Sequence, residues 1–234
     1  MADLYPVYEE FWTIQGEGVH MGRRMHLIRL MGCDQQCPWC DAAGTWHKDY
    51  MPSGTTYMSP SVLLKHHGAN DTILITGGEP TLYDLEPLTT AARKLFVKVH
   101  LETAGHHKIS GKVDWLTVSP KLFDGAQLPL PSVLRAADEI KLIIESPENL
   151  NEQLEWLVRQ KLHANTTVWL HPEWGKRDNP VVLRAILDAV LWNTSMFSLD
   201  LRAGWQIHKQ YLADPNPQGT VIPLGGDPKK GPSI

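Results

Sequence analysis

Cysteine is scarce in this chain of 234 residues. There are three, and all fall within Cys33-Asp34-Gln35-Gln36-Cys37-Pro38-Trp39-Cys40. A small, odd number excludes a disulfide framework, and nothing at the N-terminus has the pattern of a secretory signal. No stretch of about 18 apolar residues occurs, so no transmembrane helix is expected. Basic runs are also missing: none exceeds a pair, as at Arg23-Arg24, and the formal net charge is -4. That balance argues against binding along a phosphate backbone. The expected partner is a small molecule, with no nucleic acid and no membrane. The expected compartment is the cytoplasm, where thiols stay reduced and a metal cluster can be assembled.

The chemistry lies in the clustering of the few cysteines present. Three thiolates with three and then two intervening residues can wrap one corner of a cubane 4Fe-4S cluster, and without a fourth cysteine one iron lacks a protein thiolate. An open iron is a place to bind a ligand and do chemistry. The competing reading is a structural zinc site, for which His47 would have to complete Cys33, Cys37 and Cys40. Three unconnected buried cysteines would leave the clustering unexplained.

A second motif lies further on. Asp71-Thr72-Ile73-Leu74-Ile75 reads as a short buried strand running into Thr76-Gly77-Gly78-Glu79-Pro80. Paired glycines let the backbone approach a ligand without Cβ obstruction, and Pro80 stops the strand. A plain strand-to-helix turn would carry the same residues.

Apolar periodicity places strands at Met25–Leu30, Thr72–Ile75, Phe96–Leu101, Trp115–Val118, Glu139–Ile144, Thr166–Leu170 and Met196–Leu201. Helical spacing falls at Ser59–His67, Leu85–Leu95, Leu150–Arg159 and Pro180–Trp192, with Pro180 suited to a first turn. Strands alternating with helices imply a parallel sheet with right-handed crossovers. Thr76, Glu102, Ser119, His171 and Arg202 fall at or just beyond the C-terminal ends of these strands, the face on which barrel enzymes build their sites. The expected fold class is therefore α/β, a partial, modified TIM barrel, with Leu122–Leu130 as a loop. One domain is expected over residues 1–211. Residues 212–234 form a Pro/Gly-rich C-terminal extension carrying Pro215, Pro217, Pro223, Pro228 and Pro232.

The cysteine spacing, with Trp39 just before the third cysteine, resembles the radical S-adenosylmethionine (SAM) superfamily. Phe11-Trp12-Thr13-Ile14-Gln15-Gly16-Glu17-Gly18 stands ahead of it, and Arg29 lies four residues before Cys33. Together with Cys40-Asp41, Thr76, Glu102-Thr103 and Ser119-Pro120-Lys121, the pattern from Tyr5 to Tyr211 resembles the 7-carboxy-7-deazaguanine synthase family. The resemblance implies a 4Fe-4S cluster on Cys33, Cys37 and Cys40, SAM as cofactor, an external electron donor such as flavodoxin, and a homodimer. The implied reaction is ring contraction of 6-carboxy-5,6,7,8-tetrahydropterin to 7-carboxy-7-deazaguanine with loss of ammonia, in queuosine-type 7-deazapurine biosynthesis. Two rivals are a radical-enzyme activase, which gives no reason for Gln15-Gly16-Glu17 and Arg29, and a non-catalytic zinc or iron–sulfur module.

The resemblance also assigns roles. Trp39, Asp41, Gly78, Ser119, Pro120 and Lys121 would contact SAM, as would the later loop His171-Pro172-Glu173-Trp174. A histidine before proline at a strand end is as often structural. Ile14, Gln15, Gly16, Glu17, Thr76 and His208 would line the substrate pocket, with His208 in Gln206-Ile207-His208-Lys209. Glu17 offers a carboxylate suited to the N–H donors of an amino-pyrimidinone edge. Arg29 ends an apolar strand, where it either pairs with a neighbouring carboxylate or grips the substrate's. One departure concerns Mg2+. The family commonly has a serine or threonine after Cys-Asp as a magnesium ligand, whereas this chain has Ala42, so that Thr45 or water substitutes, magnesium binds more weakly, or the role has moved.

Overall fold

The computed structural model describes residues 3–192 and 199–211. These form a nine-stranded sheet in the order β3-β1-β2-β4-β5-β6-β7-β8-β9. The strands are β1 (Tyr5–Ile14), β2 (Arg24–Leu30), β3 (Thr56–Met58), β4 (Thr72–Gly77), β5 (Lys98–Thr103), β6 (Trp115–Val118), β7 (Glu139–Ile144), β8 (Thr167–Pro172) and β9 (Asp200–Ala203). From β2 to β9 all pairings are parallel, while β1 runs antiparallel to both β2 and β3. The sheet does not close, in agreement with a partial barrel.

A period of two along the parallel strands separates two environments. Ile28, Leu30, Ile73, Ile75, Leu101, Val118, Ile140, Leu142, Val168 and Leu170 point to one face and join the main core. That face is covered by α1 (Pro60–Leu63), α2 (Glu86–Lys94), α3 (Pro131–Ala136), α4 (Pro147–Val158) and α5 (Pro180–Trp192). The intervening residues, among them Arg29, Thr76, Glu102, Lys141 and His171, share the opposite, concave face. Ser146 caps α4 by accepting from the Asn149 backbone N–H at 3.1 Å, and Asn179 does the same for Val181 at 2.9 Å, each just before a proline.

The loop from Gln15 to Arg23 fills the N-terminal end of the concave face. The Val19 N–H donates to Glu139 Oε2 at 2.9 Å, and the His20 ring lies 4.5 Å from that of His100 and 4.4 Å from that of Trp115. Gly18 takes φ +68, and a Cβ there would run into the Glu139 carboxylate. With the floor filled by this loop, the cavity of the concave face is lined by residues at the C-terminal strand ends, among them Thr76, Gly77, Thr103 and Ser119.

Trp115–Val118, Glu139–Ile144 and Pro180–Trp192 match their expected bounds, and Leu122–Leu130 lies in a loop. Four expectations are corrected. The sheet is mixed, because β1 pairs antiparallel with β2 and β3; Glu9 and Glu10, which pair across the ladder with Arg29 and His26, mask that strand in the apolar pattern. The helix at Ser59–His67 shrinks to Pro60–Leu63, ahead of the turn through Gly68 and Asn70. Phe96 takes φ +57 in the turn after α2, so β5 starts at Lys98. The last strand is Asp200–Ala203, and the 196–198 part of its expected range lies outside the described residues, as does the 212–234 extension.

Candidate active site

The cysteine loop leaves β2 and folds over the C-terminal edge of the sheet. Cys33, Cys37 and Cys40 are unbonded to one another and line one cavity. Among the described residues, the only His/Cys/Asp/Glu trio whose ligand atoms lie within 4.8 Å of one another is Asp34, His106 and His107. The three sulfurs are therefore too far apart to share one tetrahedral ion, whose ligands crowd within about 4 Å of each other at Zn–S bonds of ~2.3 Å. His47 faces Trp46 and Tyr50 and does not line the cavity. The zinc reading thus loses its fourth ligand.

The surroundings of the sulfurs suit thiolates bound to a cluster. Backbone N–H groups of Gln35 and Gln36 point at Cys33, the backbone of Ala42 at Cys40, and Trp46 Nε1 donates to Cys40 Sγ at 3.4 Å. Burial pushes all three thiols up, Cys37 to about 11. A thiolate there thus needs a bound cation.

Asp34 fastens the loop. Its carboxylate accepts from His106 Nε2 at 2.7 Å, His107 Nε2 at 2.8 Å and Gln127 Nε2 at 3.2 Å. The Gln35 amide is oriented by both backbone groups of Gln127, so its NH2 donates to His106 Nδ1. With Nδ1 an acceptor, the ring N–H aimed at Asp34 is that of Nε2. Hydrogen bonds join the trio into a clamp on the cysteine loop.

The paired glycines underlie this loop. A Cβ on Gly77 would strike the Leu30 backbone, and one on Gly78 the Gly32 carbonyl, with Cys33 Cβ only 3.0 Å away. Glu79 is fully buried. Its carboxylate accepts from the N–H of Thr81 at 3.0 Å, Thr103 Oγ1 at 2.6 Å and the Ala104 N–H at 2.9 Å, tying β4 to β5.

At the other end of the cavity, buried charges are paired. Lys141 from β7 bonds Glu17 Oε2, and Gln206 Nε2 donates to Glu17 Oε1 at 2.6 Å. Burial opposes ionisation of Glu17, but the Lys141 ammonium overrides it and holds the carboxyl well below the usual range. Gln15 Nε2 and Thr76 Oγ1 donate to the two oxygens of Glu102 at 3.0 and 3.2 Å. Arg29 Nε bonds Glu9 at 2.6 Å, and among the described residues its two Nη atoms have no hydrogen-bond partner. The expected pairing with a neighbouring carboxylate is present, and the outer fork stands at the cavity. Lys209 bonds Asp41 at 2.8 Å and depresses that carboxyl's pKa. The Ile207 N–H donates to the Gly16 carbonyl at 3.0 Å, and His208 sits where a Gly16 Cβ would lie.

Of the residues singled out by sequence, the cavity collects Ile14, Gln15, Gly16, Glu17, Arg29, Trp39, Asp41, Thr76, Gly78, Ser119, Lys121, Pro172, Glu173, Trp174 and His208 beside the cysteines. Pro120 and His171 do not line it. His171 is 1% exposed beneath Gly204, and burial lowers its pKa to about 4. Arg202 is exposed and paired with Asp200. Thr45 donates to the Ala42 carbonyl at 2.7 Å and is fully buried, so it does not replace the missing hydroxyl. Sequence reasoning missed Lys141 and Glu9. A lone lysine inside the apolar run Glu139–Ile144 was the available signal, since a buried lysine requires a partner.

Three separated thiols at the C-terminal edge of an open, mostly parallel α/β sheet, sharing a cavity with a ring of paired polar groups, define a radical SAM type of enzyme. Comparison with known proteins gives the family. No family model matches the chain. It is 34% identical over 197 residues to 7-carboxy-7-deazaguanine synthase of Synechocystis, covering 82% of this chain and 89% of that protein. It is 32% identical to the same enzyme of Flavobacterium psychrophilum, covering 83% and 90%. The crystal structure of QueE from Escherichia coli superposes with a TM-score of 0.69 at 27% identity, covering 86% and 93%. The chain belongs to the 7-carboxy-7-deazaguanine synthase family.

Proposed function

We propose that this protein converts 6-carboxy-5,6,7,8-tetrahydropterin to 7-carboxy-7-deazaguanine, releasing ammonia, in a queuosine-type 7-deazapurine pathway. The observation that carries the reading is a single cavity of about 520 Å³ shared by the three thiols, the Gly78 edge, and the Gln15, Glu17 and Arg29 end. That volume falls in the ordinary range of ligand sites, about 300–1,000 Å³.

Cys33, Cys37 and Cys40 would hold a 4Fe-4S cluster, leaving one iron for SAM against Trp39, Asp41, Gly78, Ser119, Lys121, Pro172, Glu173 and Trp174. When bound, the pair supplies a 5′-deoxyadenosyl radical at the cost of one electron from a donor of the flavodoxin type. The chain's own contribution is orientation and shielding. The free Nη fork of Arg29 would take the substrate carboxylate, and Glu17 the amino-pyrimidinone edge, with Gln15 and Thr76 between them. These anchors would present the substrate C6–H toward the thiol end. Phe11, Leu27, Leu74 and Trp174 line the same space with apolar surface that keeps out water. The same anchors would keep the ring in place while it contracts, so that the hydrogen could be given back before ammonia leaves and neither the cofactor nor the electron would be consumed. With Ala42 and a buried Thr45, Mg2+ would be held by substrate and water, without a side-chain hydroxyl.

A homodimer in the cytoplasm completes the reading. The surface that supports association is α5, which leaves Leu183, Leu187 and Leu191 exposed along one face. Among the described residues no helix is long and apolar enough to cross a membrane. The test is anaerobic reconstitution with iron and sulfide, followed by supply of SAM, reductant and the carboxytetrahydropterin. Formation of 7-carboxy-7-deazaguanine is expected. A cluster-loaded protein that makes 5′-deoxyadenosine but no deazapurine would overturn the substrate assignment.

A further inference from the structure

Lys141 is the one buried cation of the cavity that the family motifs do not account for. It stands on β7, its side chain 15% exposed, bonded to a Glu17 side chain that is 9% exposed. Glu17 Oε1 meanwhile accepts from Gln206, and the Gln15 side chain is turned to the Glu17 backbone N–H at 3.2 Å. Lys141 is thus the only cation bonded to Glu17 among the described residues. Apart from the bond of Glu17 to Gln206, neither member caps a helix or joins a strand ladder through its side chain.

The protonation state of Glu17 decides which ligand edge it can read. An ionised carboxylate accepts only, with about four lone-pair directions, so both oxygens keep room for a ligand after Lys141 and Gln206 are served. It matches two adjacent N–H donors. A protonated carboxyl presents one donor and one acceptor, and matches an edge with an N–H beside a carbonyl. Burial without a counter-ion drives a carboxylate to take up a proton. We propose that Lys141 is a specificity-determining residue: by keeping Glu17 an acceptor-only carboxylate, it makes the site select a 2-amino-pyrimidinone edge over the 2-oxo edge of the same ring. This rests on the reading of Glu17 as the contact for that edge.

The other groups facing the pair do not substitute for Lys141. Asp41 and Glu102 add negative charge. Lys209 is already bonded to Asp41. His171 on β8 and His208 in the terminal turn are held neutral by burial, His171 down to about 4. Replacing Lys141 therefore leaves Glu17 among carboxylates and neutral rings.

The experiment uses the reconstituted protein with two unreactive probes, 6-carboxypterin and 6-carboxylumazine, which differ at position 2 in carrying an amino or an oxo group. The natural protein should prefer the pterin at least about tenfold, the value of one charged hydrogen bond. K141M should lose or invert that preference at pH 6, with pterin affinity recovering as pH rises, and K141R should restore it. A general loosening of the pocket would weaken both probes alike, so the ratio separates specificity from structure. Infrared difference spectra of K141M against the K141M/E17Q double variant read the protonated carboxyl of Glu17 without any ligand. An unchanged probe ratio and no protonated-carboxyl band in K141M would overturn the proposal. If the natural protein bound neither probe while that band appeared, the hold of Lys141 on Glu17 would stand and the pterin reading of the site would fall.

Discussion

Arg29 is anchored on one side and open on the other. Its Nε is committed to Glu9, which fixes the plane of the guanidinium, while the outer fork stays open toward the cavity. A planar fork held on one side is pre-organised for a carboxylate on the other. Arg29→Ala should therefore weaken binding of a 6-carboxypterin probe by one to several powers of ten, from a charged hydrogen bond of roughly 1.5–3 kcal/mol and more where a charge is left unpaired. Glu9→Gln, which keeps the guanidinium but loosens its anchor, should cost less. Calorimetric titration decides: equal affinity in the natural protein and a folded Arg29→Ala variant would make the residue a purely structural ion pair.

The least regular element positions the most chemistry. The Gln15–Gly18 turn meets Gln206–Lys209 so closely that a Gly16 Cβ would lie 2.7 Å from His208 Cβ, with the ring nearer still. Gly16→Ala should therefore push the terminal turn off its seat. Hydrogen exchange at the Ile207 amide, which donates to the Gly16 carbonyl, should speed up by at least an order of magnitude. Unchanged protection would show that the contact is soft. This docking was only half legible in the sequence. The motifs at both ends were visible, but their meeting is a long-range contact, 191 positions apart between Gly16 and Ile207. The apolar parallel strands were plain because burial on the helix-covered face writes a strong period of two. β1 was not, because Glu9 and Glu10 read as surface until their partners on β2 are known. Lys141 was missed for the same reason. Pro120 and His171 stand near strand ends but outside the cavity: His171 shares the concave face and is covered by Gly204, a long-range contact that the motif does not show.

At the scale of the whole molecule, buried neutral histidines set an acid limit on stability. Desolvation lowers His100 and His171 to about 4. The unfolded chain, with histidines near 6.5, binds more protons between those values, so stability is complete above about pH 6.5 and falls as pH drops toward 4. Two groups shifted by roughly two units make a loss of a few kcal/mol. Urea unfolding at pH 7.5 and 5 should show it, and His100→Phe should flatten the slope between them. A slope that His100→Phe leaves unchanged would mean that ring is protonated in the folded protein. Within that stable range, the central claim is that one cavity holds the SAM 5′ carbon and the substrate C6–H together. The direct measurement is turnover of 6-carboxy-5,6,7,8-tetrahydropterin deuterated at C6, with mass analysis of the SAM recovered. Deuterium in the recovered SAM, together with 7-carboxy-7-deazaguanine as product, is the predicted result. Unlabelled SAM beside product would contradict it.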